Sequence, residues 1–171
     1  MLTITAKLRH DSFVQVQLAT SVAEILAATE LMAMASVDSV GGGHVNTAYF
    51  AFDALLRVYF ISDENTQHCL NIARNPAVSG AVWCMPAKWG EGLRGVQLFG
   101  RCARATGETA TGGLQLYKGR FPQFAPAPTT EEAYVTGTGK SGLFVIDIQR
   151  VKLLDEPRFG RRNFIEVAVV R

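Results

Sequence analysis

Several things are scarce in this 171-residue chain, and each scarcity closes off a class of function. It has three cysteines, Cys69, Cys84 and Cys102, an odd number at wide spacing with no Cys-x-x-Cys pair. That pattern argues against a disulfide framework or a structural zinc, and predicts buried free thiols in a reducing compartment. Charge of one sign is also scarce. The net charge is +2, and the basic residues are scattered apart from Arg158, Arg161 and Arg162. No nucleic acid or anionic membrane surface is expected as a partner. No stretch approaches the roughly 20 apolar residues of a membrane helix. Residues 1–7 lack the apolar core and cleavage site of a secretory signal, so a cytoplasmic location is expected. The three histidines, His10, His44 and His68, lie far apart without His-x-x-x-His or Glu-x-x-His spacing, and no metal centre is expected. No serine sits in a Gly-x-Ser-x-Gly elbow, which leaves a hydrolase triad unsupported.

What is present reads as a sheet-rich globular chain. Apolar residues make up 48% of it, and 16 glycines with 10 phenylalanines suit strands joined by tight turns. Residues 18–31 predict a helix, with Ser21 as cap and Glu24 completing a capping box. Residues 32–37 and 45–50 flank Gly41-Gly42-Gly43 as a hairpin, and 57–62 returns through Asp53 as a second one. Residues 66–74 predict a short helix stopped by Asn75-Pro76. Strands follow at 78–85 and 95–105 around a loop at 86–92. Residues 108–120 predict a helix weakened by Gly112 and Gly113, 121–128 a proline-rich loop, and 143–154 and 164–170 the closing strands. About six strands with two or three short helices and no βαβ rhythm predict a mainly β (α+β) chain, a six-stranded antiparallel barrel with helices at its edges. One domain over residues 1–171 is expected, with 1–17 an N-terminal extension that supplies an added strand.

One motif misleads. Thr136-Gly137-Thr138-Gly139-Lys140-Ser141 ends like a phosphate-binding P-loop, but the glycine required before Gly139 is replaced by Tyr134. The apolar run after it reads as a strand rather than a helix, so a turn before a strand is the better reading. The informative segment is 49–76. A strand ends at Ile61-Ser62, and Thr66-Gln67-His68 opens a helix, whose N-terminal amides form a natural anion site. Thr66 and His68 there could hold a phosphate monoester. The plainer alternative is that Asn65 or Thr66 caps the helix and His68 is solvated.

This segment, together with Arg94-Gly95-Val96-Gln97-Leu98-Phe99-Gly100, Tyr117 with Arg120-Phe121-Pro122, and Phe159-Gly160 with a basic pair, resembles the pyridoxamine 5'-phosphate oxidase-like FMN-binding split barrels, more narrowly a short bacterial branch of them. The resemblance covers roughly residues 20 to 170. It implies a split barrel that binds FMN at the interface of a two-fold homodimer and acts as an oxidoreductase or flavin reductase on a small-molecule substrate. Asn46, Thr47, Ala48 and Tyr49 match the strand beside the flavin ring, and Ile61 and Ser62 match positions along the ring and ribityl chain. Thr66 and His68 match the phosphate-holding positions, with Arg94 as a further cation. Gln97 would reach over from the partner subunit, and Arg161 or Arg162 would stand near the flavin's electron-rich edge. The chain departs from the family pattern in carrying no basic residue along 45–50 and no match to the pyridoxal-phosphate-binding residues, so oxidation of pyridoxamine phosphate is not carried over. The alternative is a non-catalytic barrel that stores or senses haem or another flavin, with His44 and His68 as candidate haem ligands.

Overall fold

Alternation of apolar and polar residues lays down the strands, and the hairpin turns set their order. In a computed structural model that describes residues 2–86, 88–124 and 129–171, strand β2 (Leu31–Val37) pairs antiparallel with β3 (Gly43–Phe52), setting Met34 opposite Asn46 and Ser36 opposite His44. Asp38 closes this hairpin by accepting from the amides of Val40 and Gly42 at 2.9 and 2.6 Å. Gly41 supplies the left-handed backbone the turn requires, at φ +88°. Strand β4 (Arg57–Asp63) follows through a turn organised by Asp53, whose carboxylate accepts from the Leu55 and Arg57 amides.

Six strands close into a barrel. β3 is flanked by β2 and β4, β4 by β7 (Ser141–Asp155), and β7 by β6 (Arg94–Arg104). β5 (Ala77–Cys84) completes the circuit by pairing with both β6 and β2. The expected mainly β, six-stranded antiparallel barrel is therefore the observed fold. β7 is long enough to serve two partners along one edge. Ser141–Asp147 pairs with β4, then Arg150–Leu154 pairs with β8 (Phe164–Val170). Lys7–Arg9 forms β1 on the outer edge of β8. A register shift at Phe99/Gly100 lets β6 follow this curvature, and a side chain at Gly100 would run into the Asp147 carbonyl.

Helices α1 (Gln15–Ala28) and α2 (Gln67–Arg74) share one apolar core with the barrel interior, where Leu18, Val22, Leu26 and Ile72 meet Met32, Met34, Phe50 and Phe60. Helix α3 (Gly107–Arg120) instead lies on the outer face, with Leu114 packed on Tyr59 and Leu143. α4 (Glu131–Thr136) and α5 (Glu156–Phe159) are short helices in stretches to which the sequence pattern assigns no element. The Ser21 capping box is corrected. α1 begins six residues before Ser21, which is fully buried within it and donates its hydroxyl to Asp155 at 2.5 Å. The glycine turn ahead of β7 stands as read, with Gly137 the left-handed cap of α4. Of the loops expected at 86–92 and 121–128, residues 87 and 125–128 lie outside the described residues. No helix among the described residues is long and apolar enough to cross a membrane.

Candidate functional site

β4 ends in a turn that determines where the next side chains point. The Asp63 carboxylate accepts from the Asn65 amide at 2.8 Å, and the Asp63 carbonyl accepts from the Thr66 amide at 3.1 Å. Thr66 occupies the N-cap position of α2 in an extended conformation, yet its hydroxyl does not cap the helix. It donates to the Asp63 carbonyl at 2.8 Å and faces Ser62 and His68. Ser62 Oγ lies 2.7 Å from His68 Nε2, Thr66 Oγ1 lies 3.1 Å from the same nitrogen, and the two hydroxyl oxygens are 3.2 Å apart. Two hydroxyls and an imidazole thus converge at the end of α2 whose first amides have no side-chain cap. The alternative of a capping Thr66 beside a solvated His68 is not what the chain adopts.

The barrel interior at this end is polar, for a reason set by the hairpin register. Ser36, His44 and Asn46 fall on the inward face of β2 and β3, continuing the row of Met32, Met34 and Phe50. His44 stacks on His68 with ring centroids 6.4 Å apart and planes 17° apart, and Phe60 packs on the other side at 6.2 Å. Burial, reinforced by His44, pushes the His68 imidazole below its ordinary value, so it tends to be neutral near pH 7. Asn71, fully buried, orients α2 by donating to Ser36 Oγ at 3.1 Å and accepting from Gln67 at 2.8 Å. Both polar atoms of the Asn46 amide are buried, and among the described residues neither has a partner. A buried amide without partners is costly unless something else hydrogen-bonds to it.

The remaining expected site residues are spread over the molecule. Thr47 and Tyr49 are exposed on the outer face of β3, whereas Ala48 points inward with Asn46. Ile61 faces out beneath α3. Gln97 is exposed on the outer face of β6, in a depression of about 290 Å³ that it shares with Val45, Ala33, Ala35 and Phe99. Arg94 is not brought to the hydroxyl cluster within the chain. Its guanidinium binds Asp155 through two nitrogens at 3.2 Å each and Glu24 at 2.7 Å, at the end of β6 that faces α1. Arg161 is exposed in the turn after α5, and neighbouring Arg162 is in a left-handed conformation there. His44, expected only as a candidate haem ligand, is brought beside His68 by the hairpin register. One residue near the cluster carries no sequence signal. Arg104 packs its guanidinium over Gly142, the β7 partner of Ser62, and pairs with Glu64 at 2.8 Å.

Among solved structures, the chain is similar to a heme binding protein from Mycobacterium smegmatis, at 15% identity and a TM-score of 0.70, covering 86% of this chain and 56% of that one. The chain therefore spans little more than half that protein's length. It is similar also to a putative pyridoxamine 5'-phosphate oxidase from Listeria innocua, at 14% identity and a TM-score of 0.60, covering 79% and 96%. A third likeness is to an F420 reductase, at 20% identity and a TM-score of 0.55, covering 75% and 93%. These likenesses show a shared fold. No curated protein matches the sequence. The sequence does match the family described as pyridoxamine 5'-phosphate oxidase over residues 18–155, most of the chain and the whole of the closed barrel, and the chain belongs to that family.

Proposed function

We propose that this chain is an FMN-binding flavoprotein, an oxidoreductase or flavin reductase on a small-molecule substrate, and that it works as a homodimer with the site at the subunit interface. The observation that carries the reading is the convergence of Ser62, Thr66 and His68 at the uncapped amides of α2. Such a cluster offers hydroxyl and imidazole donors to a phosphate monoester, beside backbone N–H groups that favour negative charge. The unpartnered Asn46 amide fits the same group, because it offers both a donor and an acceptor to a polar ring edge. When bound, the flavin supplies the two-electron chemistry. The chain's own residues hold the phosphate, keep water from the inward face and present the Asn46 amide. The homodimer is supported by the outer face of β2, β5 and β6, where Ala33, Ala35, Ser79, Gly80 and Ala81 line the shallow small-residue depression with Val45 67% exposed beside it. Gln97 and Tyr49 would reach the shared site from that face. Arg161 would do so from the turn after α5.

A second reading, a barrel that stores or senses haem, rests on the stacked imidazoles of His44 and His68. The two are separated by one experiment. FMN or haemin is titrated into the purified protein and the absorption spectrum followed. A bound flavin spectrum that bleaches with NADH or NADPH supports the reductase, and a bound flavin that no reductant or oxidant turns over supports storage. A Soret band lost in His44→Ala supports haem. No FMN bound at micromolar concentration, with Thr66→Ala changing nothing, would overturn the flavin assignment.

A further inference from the structure

The hydroxyl cluster holds no fixed charge of its own. Ser62 and Thr66 are neutral, burial keeps His68 neutral near pH 7, and residues 45–50 include no basic side chain. A phosphate monoester, with a second pKa of about 6, is mostly a dianion at that pH. The register of β7 brings one guanidinium to this place. Gly142 lies opposite Ser62 on one side of β7, and Arg104 lies opposite Phe144 on the other. Residues opposite one another share a face, with β-carbons about 5 Å apart. Phe144 faces inward, stacked on Phe60 at 5.4 Å. Arg104 therefore enters the barrel end on the same side as Ser62.

Its guanidinium lies across Gly142, in the space a side chain there would fill. A β-carbon at 142 would come within 2.8 Å of Nε and 3.1 Å of Cζ, so the two exclude one another. Two of the three nitrogens are engaged. Nη1 donates to Glu64 at 2.8 Å, and Nη2 donates to the Gly139 carbonyl. Nε is buried and, among the described residues, has no partner. A buried N–H on a cation is costly without an acceptor. Glu64 is 49% exposed, so its ion pair is screened by water and offsets little of the charge at the buried end.

We propose that Arg104 supplies the fixed positive charge of this pocket, donating through Nε to a phosphate monoester dianion, and that Gly142 is the positioning residue that keeps the guanidinium there. Arg104 would thus do the work of the basic residues missing from β3. The inference rests on the reading of Ser62, Thr66 and His68 as a phosphate site, and it adds the residue that sets the preference for a doubly charged ligand.

The test is made at about pH 8, where His68 is neutral. FMN and riboflavin are titrated by fluorescence, and phenyl phosphate by calorimetry. Arg104→Met should weaken FMN about thirtyfold, the worth of one hydrogen bond from a charged donor, and leave riboflavin unchanged. Gly142→Ala keeps the arginine but pushes its flexible end aside, and should weaken FMN about tenfold with riboflavin again unchanged. Glu64→Gln breaks the ion pair without touching Arg104, and FMN should then bind as tightly as before or more so. Circular dichroism confirms folding, and Gly142→Ala carries the test if Arg104→Met does not fold. The proposal is overturned if wild type binds FMN no better than riboflavin, or if Arg104→Met leaves that preference intact. It is overturned too if Glu64→Gln reproduces the loss, which would mean that Arg104 only braces the turn. Should wild type bind neither flavin, the flavin reading fails and phenyl phosphate decides. Millimolar binding that Arg104→Met abolishes keeps the assignment, and any other result removes it.

Discussion

Ser62 and His68, six residues apart and on opposite sides of a turn, meet with Oγ and Nε2 2.7 Å apart. Because the Thr66 hydroxyl gives its proton to the Asp63 carbonyl, its oxygen can only accept from the other two members of the cluster. All three side chains are therefore engaged with one another in the free protein, and an incoming anion must displace part of that network. The cluster is neutral when His68 is neutral, so the charge it can itself offer a phosphate has to come from a proton on His68.

That requirement gives the first prediction. The free imidazole of His68 is held below its ordinary value by burial and by His44, and a bound phosphate would draw it back up. FMN binding should take up a proton and tighten by about fivefold between pH 8 and pH 6.5, the worth of one charge-assisted hydrogen bond. Riboflavin, which lacks the phosphate, should show no such slope. In His68→Gln the FMN slope should disappear. Fluorescence titrations of both ligands at several pH values check this, and a slope that survives in His68→Gln would assign the proton elsewhere.

The same shift has the opposite consequence for the ligand-free protein. A histidine whose folded value lies below its unfolded value of about 6.5 contributes stability that is fully present above that pH. As pH falls below it, the unfolded chain gains a proton that the folded chain resists, and stability drops. Urea midpoints of the free protein should therefore decline from pH 7 to pH 5, and His68→Gln should flatten part of the decline. Saturating phosphate monoester should offset it, because the ligand favours the charged ring.

Asn46 separates stability from binding. Its buried amide has no partner among the described residues, so folding leaves a desolvated donor and acceptor unpaired. Asn46→Leu, of similar volume, should leave the free protein as stable as before or raise its stability by about 1 kcal/mol, the cost of an unsatisfied buried polar group. The same variant should weaken FMN binding. Denaturant unfolding and flavin titration on one preparation are enough, and a destabilised Asn46→Leu would mean that the amide is satisfied in the free protein.

Much of the barrel was legible because its signals are local. The hairpin around Asp38 and Gly41, the stop at Asn75-Pro76 and the alternation along β6 each lie within a few residues. The misreadings came from contacts distant in sequence. Ser21 with Glu24 has the form of a capping box, and nothing nearby reveals that Asp155, 134 residues on, takes the hydroxyl. By helix propensity Gly113 weakens α3, yet a side chain there would strike the Tyr59 ring, so the glycine is what lets the helix lie close against β4. In the candidate site, Thr66 and His68 are two residues apart and could be read together. The juxtaposition of His44 with His68 depends on hairpin register and on the seating of α2, which no short window contains.

The close approach at Gly113 can be measured. Gly113→Ala should raise the intrinsic helix preference of α3 by about 1 kcal/mol. Overpacking against Tyr59 and Leu143 should cost about 1–3 kcal/mol and outweigh it. Gly112→Ala, which meets open space one residue earlier, should show only the gain. Thermal unfolding of the pair checks the contrast, and equal effects would mean that α3 is not closely packed on β4 at Gly113.

Arg94 yields the last prediction, because two roles for it make different forecasts. As a phosphate ligand it would affect FMN affinity and leave the free protein alone. The geometry favours a structural role. Asp155 is 1% exposed, receives the Ser21 hydroxyl, and has Arg94 as its cation at 3.2 Å. Arg94→Met would leave that carboxylate buried without its partner charge and should cost about 3–5 kcal/mol. Asp155→Asn in the same chain removes the orphaned charge and should recover part of the loss, with a coupling between the two sites that a double-mutant cycle measures. The ratio of FMN to riboflavin affinity should be the same in Arg94→Met as in wild type. A folded, undiminished Arg94→Met whose FMN preference is lost would instead return Arg94 to the phosphate, reaching it from a partner subunit.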